Sequence, residues 1–364
     1  MSSAASHPDP VRMRRALDAI APYKPGRPPA SAEGPSYKVS SNENPYPPLP
    51  SVLATIAEAA GTVNRYPGMG MHDLRGRIAE LCGVSPDEVV PGAGSCGVLG
   101  QIVNATVGDN DEVVYAWRSF ELYPILVGLS GGRSVQVPLT EDGRHDLQAM
   151  LGSITAQTTL VLLCTPNNPT GPVITHAEAE NFLSRMPHDV LVVIDEAYVE
   201  FNRDPEAVDS LRLFRDYPNV VVLRTFSKAY GLAGLRVGYG IANEAVAEAL
   251  GKTRMPFAVT DLAQTAAVAS LDATGELAER VEAIVAERQR VAAALRDQGW
   301  VLPLTEANFV WFPLGRRTDE FVEAAGARGL SVRGFSGDGA RCTIDVPEAN
   351  DLLIEVARGF APGG

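Results

Sequence analysis

A lysine among small and apolar neighbours is the most informative feature of this 364-residue sequence: Thr225-Phe226-Ser227-Lys228-Ala229-Tyr230-Gly231, with Arg236 eight positions beyond the lysine. Most lysines are solvated surface charges. One placed just after the apolar run Val220-Val221-Val222-Leu223 has its amine pKa lowered by desolvation, and a neutral amine can form a Schiff base. Ser227 and Arg236 add a hydroxyl and a guanidinium, donors that suit a phosphate ester. Asp195-Glu196-Ala197-Tyr198 follows a second apolar run at 190–194. That puts an acid at a strand's carboxyl end, where it could salt-bridge a pyridinium nitrogen or merely cap a helix. Thr165-Pro166-Asn167-Asn168-Pro169-Thr170-Gly171 follows a third run and reads as a rigid turn presenting an asparagine amide, or as a turn and nothing more.

Gly92-Ala93-Gly94-Ser95-Cys96-Gly97 fits G-x-G-x-x-G spacing and opens a helix. A dinucleotide site would also need an acid at the end of the next strand, where Ala116 and Trp117 stand instead. A phosphate site built on the backbone amides of Gly94, Ser95 and Cys96 needs no such acid. A plain turn is the third reading. Features of this kind at successive strand ends reinforce one another.

The elements that must carry these residues alternate. Helices are expected near 72–82, 96–106, 120–129 and 177–186, and strands at 112–116, 134–137, 159–164, 191–194, 220–223 and 237–241. Fully apolar strands of this kind require a sheet covered on both faces, so the fold class is α/β with a mostly parallel central sheet. Residues 21–50 are dense in proline and read as an extended arm. A long helix at 276–298 reads as an interdomain spine. Strands at 309–312, 331–333 and 341–346, with helices near 319–328 and 350–358, make a small α+β domain. The expected division is an arm over 1–50 joining the small domain, a large domain over 51–255, and the spine with the small domain over 256–364.

Composition limits the function classes. Asp and Glu number 44 against 31 Lys and Arg, giving a net charge of -13, so the surface field repels nucleic acid and anionic lipid. No apolar run approaches the roughly 18–20 residues of a membrane span. The first ten residues show no basic start followed by an apolar stretch, and the four cysteines form no Cys-x-x-Cys pair, so a cytoplasmic protein with reduced thiols is expected. Scattered histidines give no metal-ligand spacing, and no metal is expected.

Taken together, these residues resemble the fold type I pyridoxal-phosphate aminotransferases, in the branch of the histidinol-phosphate and aromatic amino acid enzymes. The resemblance runs from about Tyr23 to Arg358. It rests on Ser41-Asn42-Glu43-Asn44-Pro45, Asn64-Arg65-Tyr66-Pro67, the Pro166 to Gly171 turn, Asp195 to Tyr198, Ser227-Lys228 with Arg236, and Arg341-Cys342-Thr343-Ile344. It implies pyridoxal 5'-phosphate as cofactor. Lys228 would form the internal aldimine and shuttle the proton, and Asp195 would hold the pyridine nitrogen protonated. Asn168 and Tyr198 would bond the ring oxygen, and Phe120 would stack on the ring. Gly94, Ser95, Cys96, Ser227 and Arg236 would hold the phosphate, joined by Tyr66 from a second subunit of a homodimer. Arg341 would pair with the substrate α-carboxylate, and Tyr23, Asn44 and Arg333 would surround the rest of the substrate. Cys96 stands where an acid is frequent in the histidinol-phosphate enzymes, and Phe120 where a tyrosine is frequent.

The segment Trp117-Arg118-Ser119-Phe120-Glu121-Leu122-Tyr123 looks like the actinobacterial aromatic branch, whereas Arg333 stands where histidinol-phosphate enzymes grip the substrate phosphate; both branches carry such an arginine. The expected reaction is transamination between an aromatic L-amino acid and 2-oxoglutarate, with histidinol phosphate as the alternative donor. A nicotinamide-dependent oxidoreductase and a non-catalytic ligand sensor are the competing classes. The latter would need a DNA-binding helix-turn-helix, and the arm shows none.

Overall fold

A computed structural model describes residues 11, 13–23, 26 and 35–361. The short strand β1 (Tyr37–Lys38) belongs to the proline-rich arm. Seven strands then build the central sheet: β2 (Val89–Gly92), β3 (Glu112–Trp117), β4 (Arg133–Pro138), β5 (Thr158–Cys164), β6 (Leu191–Asp195), β7 (Val220–Thr225) and β8 (Gly238–Ile241). Their order is β2-β8-β7-β6-β5-β3-β4, with β8 antiparallel to both neighbours and the remaining pairs parallel.

Side-chain alternation shows why the inner strands of this sheet are apolar. Val114 and Ala116 of β3, Val192 and Ile194 of β6, and Val220 and Val222 of β7 face one core. Val113 and Tyr115, Val193, and Val221 and Leu223 from the same strands face a second core on the opposite side. Both faces are covered along these strands, so they do not alternate with polar residues as the edge strand β4 does at Arg133 and Gln136. Each fully buried Val or Leu contributes about 1.5–3 kcal/mol.

The last four strands are β9 (Phe309–Phe312), β10 (Leu330–Ser331), β11 (Arg333–Phe335) and β12 (Gly339–Thr343). Strands β11, β12 and β9 form an antiparallel sheet, while β10 pairs in parallel with β1, tying the arm to this end of the molecule. The expected strand 331–333 is therefore two strands: Ser331 pairs with the arm, and Arg333 pairs with Arg341 after the chain turns at Val332. The strand expected at 341–346 lies at 339–343, because the residues that follow lead into the helix Pro347–Arg358.

The long helix spans Thr274–Asp297 and buries Val281, Ile284, Val285, Val291 and Leu295 on one side, as its periodicity requires. Five helices among the described residues come without a strong sequence signal: Pro50–Ala59, Leu147–Gly152, Ser210–Asp216, Glu244–Lys252 and Asp261–Asp272. The first begins at Pro50, the last proline of the arm, because proline's fixed φ and missing N–H suit a helix's opening turn. No helix among the described residues is long and apolar enough to cross a membrane.

Candidate active site

The carboxyl ends of β5, β6 and β7, the start of the helix Gly94–Thr106 and the β11–β12 hairpin converge on one cavity of about 220 Å³. Its floor is built for an anion. The helix Gly94–Thr106 starts after Ala93, which offers no side-chain cap, so its first N–H groups are available to a ligand. Gly94 has φ +71°, and a Cβ there would lie 2.4 Å from Arg236 Nη2. Gly238 is as constrained, since a Cβ would lie 2.3 Å from the Ser95 amide nitrogen. Arg236, itself at φ +54°, donates from Nη1 to Ser227 Oγ at 3.3 Å and to the Ala233 carbonyl at 2.9 Å. Thr225 Oγ1 donates to Ser227 Oγ at 3.0 Å and accepts from the Ser227 N–H at 3.1 Å. Backbone amides, two hydroxyls and a guanidinium thus surround one spot, as a phosphate monoester requires.

Asp195 ends β6 on the same cavity. Its Oδ2 accepts a 2.7 Å hydrogen bond from the Tyr123 hydroxyl, while Oδ1 is buried without a hydrogen-bond partner. Burial pushes its pKa from 3.8 to about 6, against the lowering effect of the Tyr123 bond. A buried carboxylate oxygen with no donor fits a protonated ring nitrogen. Burial also drives the neighbouring Cys164 thiol up to about 12. Phe120 lines the cavity and meets Tyr123 edge-on, with ring centroids 5.6 Å apart.

Lys228 follows β7. Burial of its amine, and then the nearby Arg341 charge, lower its pKa to about 8. Nζ donates to the Ser41 carbonyl at 3.1 Å and lies 5.9 Å from the Tyr198 ring centroid. Asn44 does not line the cavity, contrary to the expectation that it binds substrate. Its amide donates to the Ala229 carbonyl at 2.9 Å and to the Lys228 carbonyl at 3.3 Å, so it fixes the backbone that carries the lysine.

The opposite end carries two arginines. Arg341, 7% exposed, donates from Nη2 to the Ser40 carbonyl at 2.7 Å and from Nη1 to Asn168 Oδ1, and its Nε is buried without a partner. Burial lowers its pKa, which marks it as a cation short of counter-charge. Arg333 is its direct cross-strand neighbour and forms a bidentate pair with Glu121. Tyr198 accepts a 2.9 Å hydrogen bond from Asn42.

The structure thus gathers Tyr23, Ser95, Cys96, Phe120, Asn168, Asp195, Tyr198, Ser227, Lys228, Arg236, Arg333 and Arg341 around one space, with Gly94 behind Arg236. Tyr66 lies apart: it is 82% exposed and packs on Phe257 at 4.6 Å. Three functional neighbours were not anticipated: Tyr123, Asn42 and Glu121. Tyr123, three residues after Phe120, was open to discovery through helical spacing; the partners of Asn42 and Glu121 lie 156 and 212 residues away and leave no local signal. All four cysteines are free, with Cys82, Cys164 and Cys342 buried.

Comparison with known proteins agrees with this geometry. The model of the family "Aminotransferase class I and II" matches residues 36–343. The aromatic amino acid aminotransferase of Streptomyces avermitilis is 56% identical over 349 residues, covering 96% of this chain and 97% of that protein. That of Mycolicibacterium smegmatis is 47% identical, with 97% of each chain covered. Among solved structures, histidinol-phosphate aminotransferase from Sinorhizobium meliloti, in complex with pyridoxal-5'-phosphate, superposes with a TM-score of 0.86 at 31% identity over 99% of this chain and 100% of its own. A cradle suited to a phosphate, an acid short of one donor and a desolvated lysine, met in this order along a matching chain, leave one assignment: the protein belongs to the class I and II aminotransferases, enzymes that depend on pyridoxal 5'-phosphate.

Proposed function

We propose that the enzyme transfers the amino group of an aromatic L-amino acid to 2-oxoglutarate, releasing the aromatic 2-oxo acid and L-glutamate. The observation that carries the choice of donor is the Arg333–Glu121 pair. It leaves Arg333 without a spare positive charge, while its cross-strand neighbour Arg341 lacks a carboxylate partner. A donor with one carboxylate and an uncharged ring suits that arrangement. The names of the Streptomyces and Mycolicibacterium relatives support the same reading.

Bound pyridoxal phosphate supplies an electron sink for the negative charge that develops at the substrate α-carbon. Asp195 Oδ1 would receive the ring N–H, its negative charge keeping that proton in place. The Gly94, Ser95 and Cys96 amides, Ser227 and Arg236 would hold the phosphate. Asn168, whose Oδ1 is engaged by Arg341, has its NH₂ left to donate to the ring oxygen, beside the Tyr198 hydroxyl. Phe120 would pack on the ring and exclude water. Arg341 grips the α-carboxylate with a charge-assisted pair. Lys228, with a pKa near 8, has an appreciable neutral fraction at physiological pH; its Nζ takes the proton from the donor's α-carbon and holds it.

The working unit is a homodimer in this proposal. Tyr66, Val63, Met69, Met255 and Phe257 are all exposed, and the Tyr66–Phe257 contact and the Arg254 bond to the Met69 carbonyl draw them into one apolar patch. A second copy would cover that patch and bring Tyr66 to its partner's phosphate site.

A donor panel with 2-oxoglutarate tests the substrate. Phe, Tyr or Trp should be converted with kcat/KM at least comparable to that of histidinol phosphate. A histidinol phosphate advantage of roughly a thousandfold or more, the margin a buried polar anchor can give, would remove the aromatic assignment.

A further inference from the structure

We propose that Glu121 determines specificity: it competes with the distal anionic group of any substrate for Arg333, and so tunes the site toward substrates whose far end is uncharged. This deepens the aromatic reading and rests on it for the identity of the preferred donor.

Arg333 and Arg341 stand directly opposite each other on β11 and β12, and both line the cavity. Two like charges at such close cross-strand range repel, so an arrangement with both unpaired is unfavourable before any ligand arrives. The two are treated differently. Arg341 meets only neutral acceptors, the Ser40 carbonyl and the Asn168 amide oxygen. Arg333 meets a carboxylate: Nη2 lies 2.7 and 2.8 Å from the two Glu121 oxygens, and Nε lies 3.1 Å from Oε2. The side chains are 13% and 29% exposed, so the pair is shielded enough for its geometry to count.

Glu121 is not itself on the cavity wall. It faces the adjoining groove beside Trp117, Arg118 and Tyr23, and reaches Arg333 from behind. The ring of Phe335, 5.7 Å from the guanidinium, braces the same arginine. A substrate with a phosphate or carboxylate at its far end must therefore take Arg333 from a carboxylate already in place, and a dianion must also approach Glu121. A phenyl or indole ring faces no such contest. The argument applies equally to a phosphate-bearing donor and to the distal carboxylate of 2-oxoglutarate. Discrimination here comes from an element that disfavours the wrong ligand.

The experiment uses the pyridoxal-phosphate holoenzyme and two unreactive probes that differ only at the far end, glutarate and 3-phenylpropionate. In Glu121→Gln the inhibition constant of glutarate should fall at least about tenfold, the size of a typical charge-pair contribution, while that of 3-phenylpropionate stays within about twofold. The KM values of 2-oxoglutarate and histidinol phosphate should fall likewise, with kcat for Phe little changed. Glu121→Asp, which keeps the charge but shortens the reach, should lie between wild type and Glu121→Gln. Adding Arg333→Gln to Glu121→Gln should abolish the gain. Equal shifts for both probes, no shift, or weaker glutarate binding would overturn the proposal; the last would mean that Glu121 aims Arg333 at anions. The substrate reading fails separately, if wild-type enzyme prefers histidinol phosphate, because the Glu121 proposal is judged only on the change from wild type to variant.

Discussion

Replacing Tyr123 with Phe removes one oxygen from the site and should reveal how Asp195 is kept ionised. Tyr123 is 1% exposed, and its ring packs edge-on against Tyr115 and Phe120, with centroids 5.6 Å away in both cases. A phenyl ring preserves those contacts and opens no cavity. What is lost is the 2.7 Å bond to Asp195 Oδ2, leaving both carboxylate oxygens without a side-chain donor. A hydrogen bond to a charged group contributes about 1.5–3 kcal/mol, equivalent to a rise of about 1–2 in the Asp195 pKa. Starting from about 6 in the cofactor-free protein, that rise makes the protonated form a major species at pH 7. An acid with a raised pKa is ionised only at higher pH, so the defect should be largest on the acid side. Reconstitution of the cofactor-free variant with pyridoxal phosphate should slow below about pH 8 and match wild type above it, and cofactor loss on dialysis should accelerate below pH 7. A uniform loss of rate at every pH, or a profile superimposable on wild type, would refute the reasoning.

Three further outcomes can be checked. Borohydride reduction of the holoenzyme should fix the cofactor on the peptide containing Lys228, and recovery on another peptide would remove that assignment; inactive Lys228→Ala mixed with inactive Tyr66→Ala should regain part of the activity through hybrid dimers, whereas a fully active monomer in sedimentation would exclude the shared site. In the cofactor-free protein, Asp195 has a folded-state pKa raised from 3.8 to about 6, so the folded state binds more protons and loses about 3 kcal/mol of stability as pH climbs through that window. Denaturant melts of Asp195→Asn should lack this slope, and an unchanged slope would locate the titration elsewhere.

The residues that read clearly from sequence share one property: each follows an apolar run. Asp195 after 190–194, Asn168 after Cys164 and Lys228 after β7 were legible because a buried strand ends where a polar group first meets the ligand space. The helices Pro50–Ala59 and Asp261–Asp272 were not, because alanine dominates both and blurs the contrast between faces. Asn44 shows a different limit. Its position beside the site was readable from the Ser41 to Pro45 motif, but its direction was not, and its amide turns to the lysine's backbone. Arg333 was read as substrate-binding with no partner of its own, because the carboxylate that engages it stands 212 residues earlier, in a segment read for its resemblance to the aromatic branch.

The antiparallel strand β8 has one more consequence. Register pairs Thr225 with Gly238, so residues 226–237 form a loop closed at its neck by the sheet itself. Lys228 and Arg236 each sit within three residues of that neck, on opposite sides of it. The chain between them is held along its length: Ala229, Tyr230 and Leu232 are buried, and the Leu232 N–H donates to the Phe226 carbonyl at 3.0 Å. The two groups proposed to grasp the cofactor are thus set on a loop with little freedom, so little ordering entropy remains to be lost on binding, and a residue inserted between them should disturb the site through Ala233, which lines the cavity and whose carbonyl accepts from Arg236.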